Sequence, residues 1–121
     1  MPSTFEATAG QHIGVTNGAS VVQLTNKSTA VTANVGTGRI VMNGALLGTN
    51  SEVTFQVVNS TVSPTDVILV NHVSGGTVGA YLAQANEIAA GSFKITVLNL
   101  TTGNLSEAIA LRFLVFKSAD S

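Results

Sequence analysis

Two imidazoles, His12 and His72, and six carboxylates are the only conventional proton-transfer groups in a chain of 121 residues that has no Cys. Asp66, His72 and Ser74 are the residue types of a nucleophilic triad, in which a carboxylate holds a histidine that takes the proton from serine. Six residues of extended chain would place Asp66 about 20 Å from His72, far beyond hydrogen-bond reach. His72 reads instead as a strand-end residue beside the turn Ser74-Gly75-Gly76-Thr77. Glycoside hydrolysis needs two carboxylates facing each other across a cleft. Here Glu6, Glu52, Asp66, Glu87, Glu107 and Asp120 are separated by long neutral stretches, and no motif pairs them. Glu107 is expected to open the last strand, paired with Arg112 or Lys94 or bonded to turn amides. No His, Asp or Glu set has metal-ligand spacing. Gly36-Thr37-Gly38-Arg39 opens like a phosphate loop but leads into a strand and lacks the later Gly and Lys, so it reads as a hairpin turn. No catalytic, cofactor or metal residue is therefore assigned, and the chain is not expected to be an enzyme.

The elements that carry these residues are short. From Ala19 onward, runs rich in Val, Ile, Thr and Phe alternate with Gly, Asn, Ser or Pro, which is the punctuation of strands. The expected strands are Val21 to Leu24, Ala30 to Asn34, Arg39 to Asn43, Ser51 to Val58, Asp66 to Val73, Ala80 to Ala85, Ser92 to Asn99 and Ala108 to Lys117. Val53, Phe55 and Val57 alternate with Glu52, Thr54 and Gln56, and Phe93, Ile95 and Val97 with Lys94 and Thr96, so these two strands have one wet face each. The pattern predicts an all-β fold, a compact β-sandwich of jelly-roll type over residues 19–121. An extended N-terminal arm, residues 1–18, precedes it, with Phe5 and Ile13 as sparse anchors. Asn-x-Ser/Thr recurs at Asn26, Asn59, Asn99 and Asn104. In a secreted eukaryotic protein these would be glycosylation acceptors; in an Asn/Ser/Thr-rich chain without a leader region they are expected to be turn residues that cap their own backbone.

Two strands ask for more than one core can offer. Ile68 and Val70 alternate with Val67 and Leu69, and the last strand is apolar on both faces except at Arg112. A second layer of protein is the simplest source of the missing burial, and closed homo-oligomers are the usual way to obtain it. Phe5, Ile13, Ile68, Val70, Leu98, Arg112, Leu114 and Phe116 are the candidate interface residues.

Composition narrows the partners. Only 9% of residues are charged, the net charge is −1 and the polar surface rests on 11 Ser, 15 Thr and 10 Asn. Without a basic patch nucleic acid is not an expected partner. Apolar runs such as Val67 to Val70 are far shorter than the ~20 residues of a spanning helix, so no membrane partner is expected either. The first residues show neither a basic nor an apolar leader region, and the chain is expected to be made and assembled in a cytoplasm.

The stretches Ser74-Gly75-Gly76-Thr77-Val78-Gly79-Ala80-Tyr81, Ala89-Ala90-Gly91-Ser92-Phe93-Lys94-Ile95, Gly103-Asn104-Leu105-Ser106-Glu107-Ala108 and Phe113-Leu114-Val115-Phe116-Lys117 carry a resemblance that covers most of the chain after about residue 10. Val22-Gln23-Leu24-Thr25-Asn26-Lys27-Ser28-Thr29, Gly38-Arg39-Ile40-Val41-Met42 and Phe55-Gln56-Val57-Val58-Asn59-Ser60 fit the same pattern. The chain resembles a family of small β-rich structural proteins of tailed bacteriophages and prophages. It departs from that pattern at Leu98, where a basic residue is expected, and at Phe116, where a smaller aliphatic is common. The resemblance implies a virion component without cofactors, most specifically a homotrimeric capsid decoration (cement) protein that contacts the major capsid protein or another virion protein. A tail-fibre or head-fibre domain that binds the host surface is the alternative, and a glycan-active enzyme is a third reading.

Overall fold

The computed structural model describes residues 18–117. Residues 1–17 of the expected arm, with Phe5, His12 and Ile13, lie outside the described residues, and Gly18 opens the first strand. Eight strands follow in chain order: β1 (Gly18–Val22), β2 (Val31–Thr32), β3 (Thr37–Val41), β4 (Glu52–Val58), β5 (Val67–Ser74), β6 (Tyr81–Ala89), β7 (Ser92–Asn99) and β8 (Ala110–Phe116). They form two four-stranded sheets, one in the order β1-β3-β8-β5 and the other β2-β4-β7-β6. The inner faces meet around Ile40, Phe55, Phe93, Ile95, Leu111 and Phe113. Phe93 of one sheet meets Phe113 of the other edge-on at 5.4 Å, the geometry aromatic pairs prefer.

The all-β sandwich stands, but the strand order is not a jelly roll. β1 pairs with β3, and β2 with β4, in parallel, whereas Greek keys are antiparallel throughout. The physical reason lies in the connections: β1 and β3 belong to one sheet and β2 to the other, so the chain passes to the second sheet and back, and re-enters the first in the same direction.

Gly36-Thr37-Gly38-Arg39 is not a hairpin turn. Thr37, Gly38 and Arg39 lie within β3, and glycine is needed there for packing. A Cβ on Gly38 would lie 2.6 Å from Cε2 of Phe113, so the aromatic ring occupies the space a side chain would fill.

The asparagine motifs are turn devices at three of their four positions. Asn26, Asn59 and Asn99 each accept, through Oδ1, the N–H and hydroxyl of the residue two positions on. Asn59 and Asn99 are fully buried, and their amides donate to the carbonyls of Val35 and Leu47. Asn104 differs, because its Oδ1 accepts the N–H of Thr49 in a neighbouring loop.

Candidate functional site

The main polar constellation gathers on the β5–β6 turn. Gly75 and Gly76 adopt φ of 76° and 73° in succession, a conformation open to glycine at little cost. A side chain at Gly75 would also strike the carbonyl oxygen of Ala108, 2.7 Å away. The turn thereby wraps over Glu107, which accepts the Tyr81 hydroxyl at 2.7 Å and the Thr77 N–H at 3.0 Å on Oε1, and the Thr77 hydroxyl at 2.8 Å on Oε2. Those hydrogen bonds, Tyr81 first, hold the carboxyl below its ordinary range, with burial opposing them and the nearby His72 assisting. Burial first, and then the bond to Glu107, push the Tyr81 phenol well above its ordinary 10.0.

His72 meets the Tyr81 ring edge-on at 5.4 Å. Its Nε2–H donates to the carbonyls of Ser74 at 3.0 Å and Gly75 at 2.6 Å. That nitrogen therefore carries the proton and has no lone pair for a serine. Asp66 lies at the opposite end of β5, accepting the Ser63 N–H and paired with Lys117 at 2.7 Å. The structure does not bring Asp66, His72 and Ser74 together.

Of the partners expected for Glu107, the turn amide is the one it takes. Lys94 instead pairs with Glu87 at 3.2 Å, and Arg112 points from the outer face of β8. A buried cation, Lys27, sits beneath this end of the sandwich. Its Nζ donates to the main-chain carbonyls of Asn43 and of Glu107, while the Gln23 amide donates to Lys27 O and Thr29 O, both at 2.9 Å. Burial lowers the Lys27 pKa and the Glu107 charge partly offsets it. The hydrogen bonds of this cluster tie the β5–β6 turn to the segment that precedes β8. Its chemistry is that of a clasp that closes one end of the sandwich.

The outer face of the β1-β3-β8-β5 sheet is different, because it combines exposed apolar side chains with two arginines that have no acidic partner among the described residues. Strand alternation turns Ile68 and Val70 inward, where each is 8% exposed. As interface candidates these two are corrected: the outward pair on β5 is Val67 and Leu69, 57% and 51% exposed. Across the register Val67 faces Phe116 and Leu69 faces Leu114, and Phe116 is itself 57% exposed. The next row holds Asn71, Arg112, Arg39 and Ser20, in which Arg39 and Arg112 are direct cross-strand neighbours. Arg39 donates to Ser74 Oγ at 3.3 Å. Neither guanidinium has an acidic partner among the described residues.

Leu98 lies on the outer face of the second sheet, in register with Glu52 on β4 and Leu82 on β6. These three line a shallow depression of about 290 Å³ together with Gln84, Asn86 and Thr96. Apart from Val58 at the far end of β4, the rest of that face is polar, with Thr54 and Thr96 hydroxyls bonded across strands at 2.8 Å.

Arg112, Leu114 and Phe116 thus share one face, Leu98 belongs to the opposite one, and Phe5 and Ile13 lie outside the described residues. Sequence reasoning missed Arg39, Val67, Leu69 and Glu52. The parity of Arg39 was legible from its alternation with Gly38 and Ile40, but its pairing with Arg112 follows only from register. On β5 both parities are apolar, so alternation alone did not say which side faces out.

Comparison with protein-family models, with curated proteins and with solved structures returned no match to this chain. The outer sheet face is the candidate functional surface on geometry alone.

Proposed function

We propose that this chain is a structural protein of a tailed-bacteriophage virion, a homotrimeric capsid decoration (cement) protein that binds the major capsid protein or another virion protein after assembly in the bacterial cytoplasm. The observation that carries this reading is the outer face of the β1-β3-β8-β5 sheet, where Val67, Leu69, Leu114 and Phe116 form one connected apolar group. Connected exposed apolar surface on a small domain marks a place where another protein binds, and a protein used in many copies needs such a face. The resemblance of the chain to small β-rich phage proteins supports the same reading. On this reading the Glu107 cluster is architectural and the protein performs no catalysis.

The test is copy number in purified virions, measured by quantitative mass spectrometry against the major capsid protein. Hundreds of copies per particle are expected for decoration. A handful would place the chain in a tail or head fibre, and its absence from particles would overturn the virion role.

A further inference from the structure

We propose that copies of this chain associate head to tail: the Arg39–Arg112 row on one sheet receives Glu52 from the opposite sheet of the next copy. This rests on the homo-oligomer part of the proposed function and names the surfaces that would build it. The first argument is an inventory of charge. Among the described residues Asp66 is paired with Lys117, Glu87 with Lys94, and Glu107 is held by Tyr81 and Thr77. Glu52 is the exposed carboxylate left with neither an ion pair nor a hydrogen bond among the described residues. On the cationic side, Arg39 and Arg112 are the guanidiniums left without a carboxylate.

The second argument is position. Arg39 and Arg112 are direct cross-strand neighbours, with Cβ atoms about 5 Å apart, an arrangement of like charges that costs stability unless an anion joins it. A two-fold pairing centred on that row would bring four guanidiniums together, so a same-face contact there is disfavoured. Glu52 lies on the other sheet, and a contact between different faces is heterologous, the kind that closes into a ring where the rotation between copies closes and otherwise propagates from copy to copy.

The third argument is the shape around the charges. On the arginine face, Leu114 and Phe116 follow Arg112 at about 7 and 13 Å along the strand. On the glutamate face, Leu98 and Leu82 follow Glu52 at about 5 and 10 Å across the strands. Each face therefore sets two apolar groups beside its charge at comparable spacing. The depression bounded by Glu52, Leu82 and Leu98 is the hollow that would receive an apolar side chain such as Phe116.

Charge exchange tests the contact by sedimentation velocity on the full chain, with far-ultraviolet circular dichroism reporting the fold. The wild type is expected to sediment as an oligomer. Arg39→Glu/Arg112→Glu, which puts like charges back across the same register, and separately Glu52→Arg, should each weaken association by about tenfold or more. Combining all three substitutions should restore it to within about threefold of wild type. An oligomer indifferent to both charge reversals would overturn the contact while leaving the oligomer in place. Loss in the separate variants without rescue in the combined one would also overturn it, since the arginines would then be meeting an acid other than Glu52. A folded wild type that stays monomeric up to about 100 μM would overturn both this contact and the homo-oligomer reading.

Discussion

At the scale of single residues, Tyr81 and Glu107 report on the clasp in opposite directions of pH. Tyr81 is the only tyrosine in a chain with no tryptophan, so its ionisation can be followed by absorbance at 295 nm without interference. With its pKa raised, the stability it contributes is full below its ordinary value of 10.0 and is lost as pH rises through the higher folded value. Tyrosinate absorbance is therefore expected to stay absent at about pH 11 in the folded protein and to appear together with unfolding. Glu107 has its pKa lowered, so its contribution is present above its ordinary value of 4.5 and fades as pH falls through the lower folded value. Glu107→Gln should melt below wild type at neutral pH, and the gap should close on acidification, as paired thermal melts will show. Lys27→Met leaves the carbonyls of Asn43 and Glu107 without their donor and should destabilise by about 1–3 kcal/mol in urea unfolding, the cost of stranding a buried polar group.

Among the elements, β3 and β8 are locked by a small residue beneath a large one. The Phe113 ring lies on Gly38 so closely that an added Cβ would come within 2.6 Å of it. Gly38→Ala should cost about 1–3 kcal/mol through overpacking, read as a lower urea midpoint with an unchanged slope. Placed in a Phe113→Leu background, the same substitution should cost less, because leucine lacks the ring atoms that the methyl would meet. Such non-additivity is what two residues in direct contact show. The bulge between Asn86 and Ala89 has a related local signature, since Glu87 takes φ of 49° there and the register against β7 shifts. The sequence pattern places the end of β6 at Ala85, before the polar pair Asn86-Glu87. The strand continues to Ala89 because a bulge breaks alternation without ending the pairing.

For the whole molecule, the core is supplied from within the described residues, running from Val31 to Val115. Removing residues 2–15 is therefore expected to leave far-ultraviolet circular dichroism unchanged. If the N-terminal segment anchors the protein as its sparse apolar content suggests, the truncated chain should bind undecorated capsids more weakly than the full chain, and equal saturation would move the anchor to the sandwich. The two sheets also differ in their outer faces. One carries Glu52 beside Leu82 and Leu98, with Thr, Gln, Asn and Lys over most of the rest, and the other holds apolar pairs beside arginines that have no acidic partner among the described residues. That asymmetry is the basis for a head-to-tail arrangement over a symmetric one.

The sequence by itself determined the strands whose two faces differ in polarity. β7 runs from Ser92 to Asn99 as its pattern demands, and β4 lies within one residue of its expected bounds, because a two-residue period has one solution when one face is polar. It also determined the asparagine turns at Asn26, Asn59 and Asn99, since an Asn side chain and the backbone two residues on are within local reach. What alternation could not supply was any quantity that depends on a neighbour. The inward side of β5 was decided when the opposing sheet supplied Phe93 and its companions as a core. The strand role of Gly38 was decided by Phe113, 75 residues later in the chain. The parallel pairing of β1 with β3 was decided by a chain that visits the other sheet between them, and the meeting of Arg39 with Arg112 by the pairing of β3 with β8. Which strand lies beside which is a long-range choice, whereas a local pattern specifies only the face that each strand must bury.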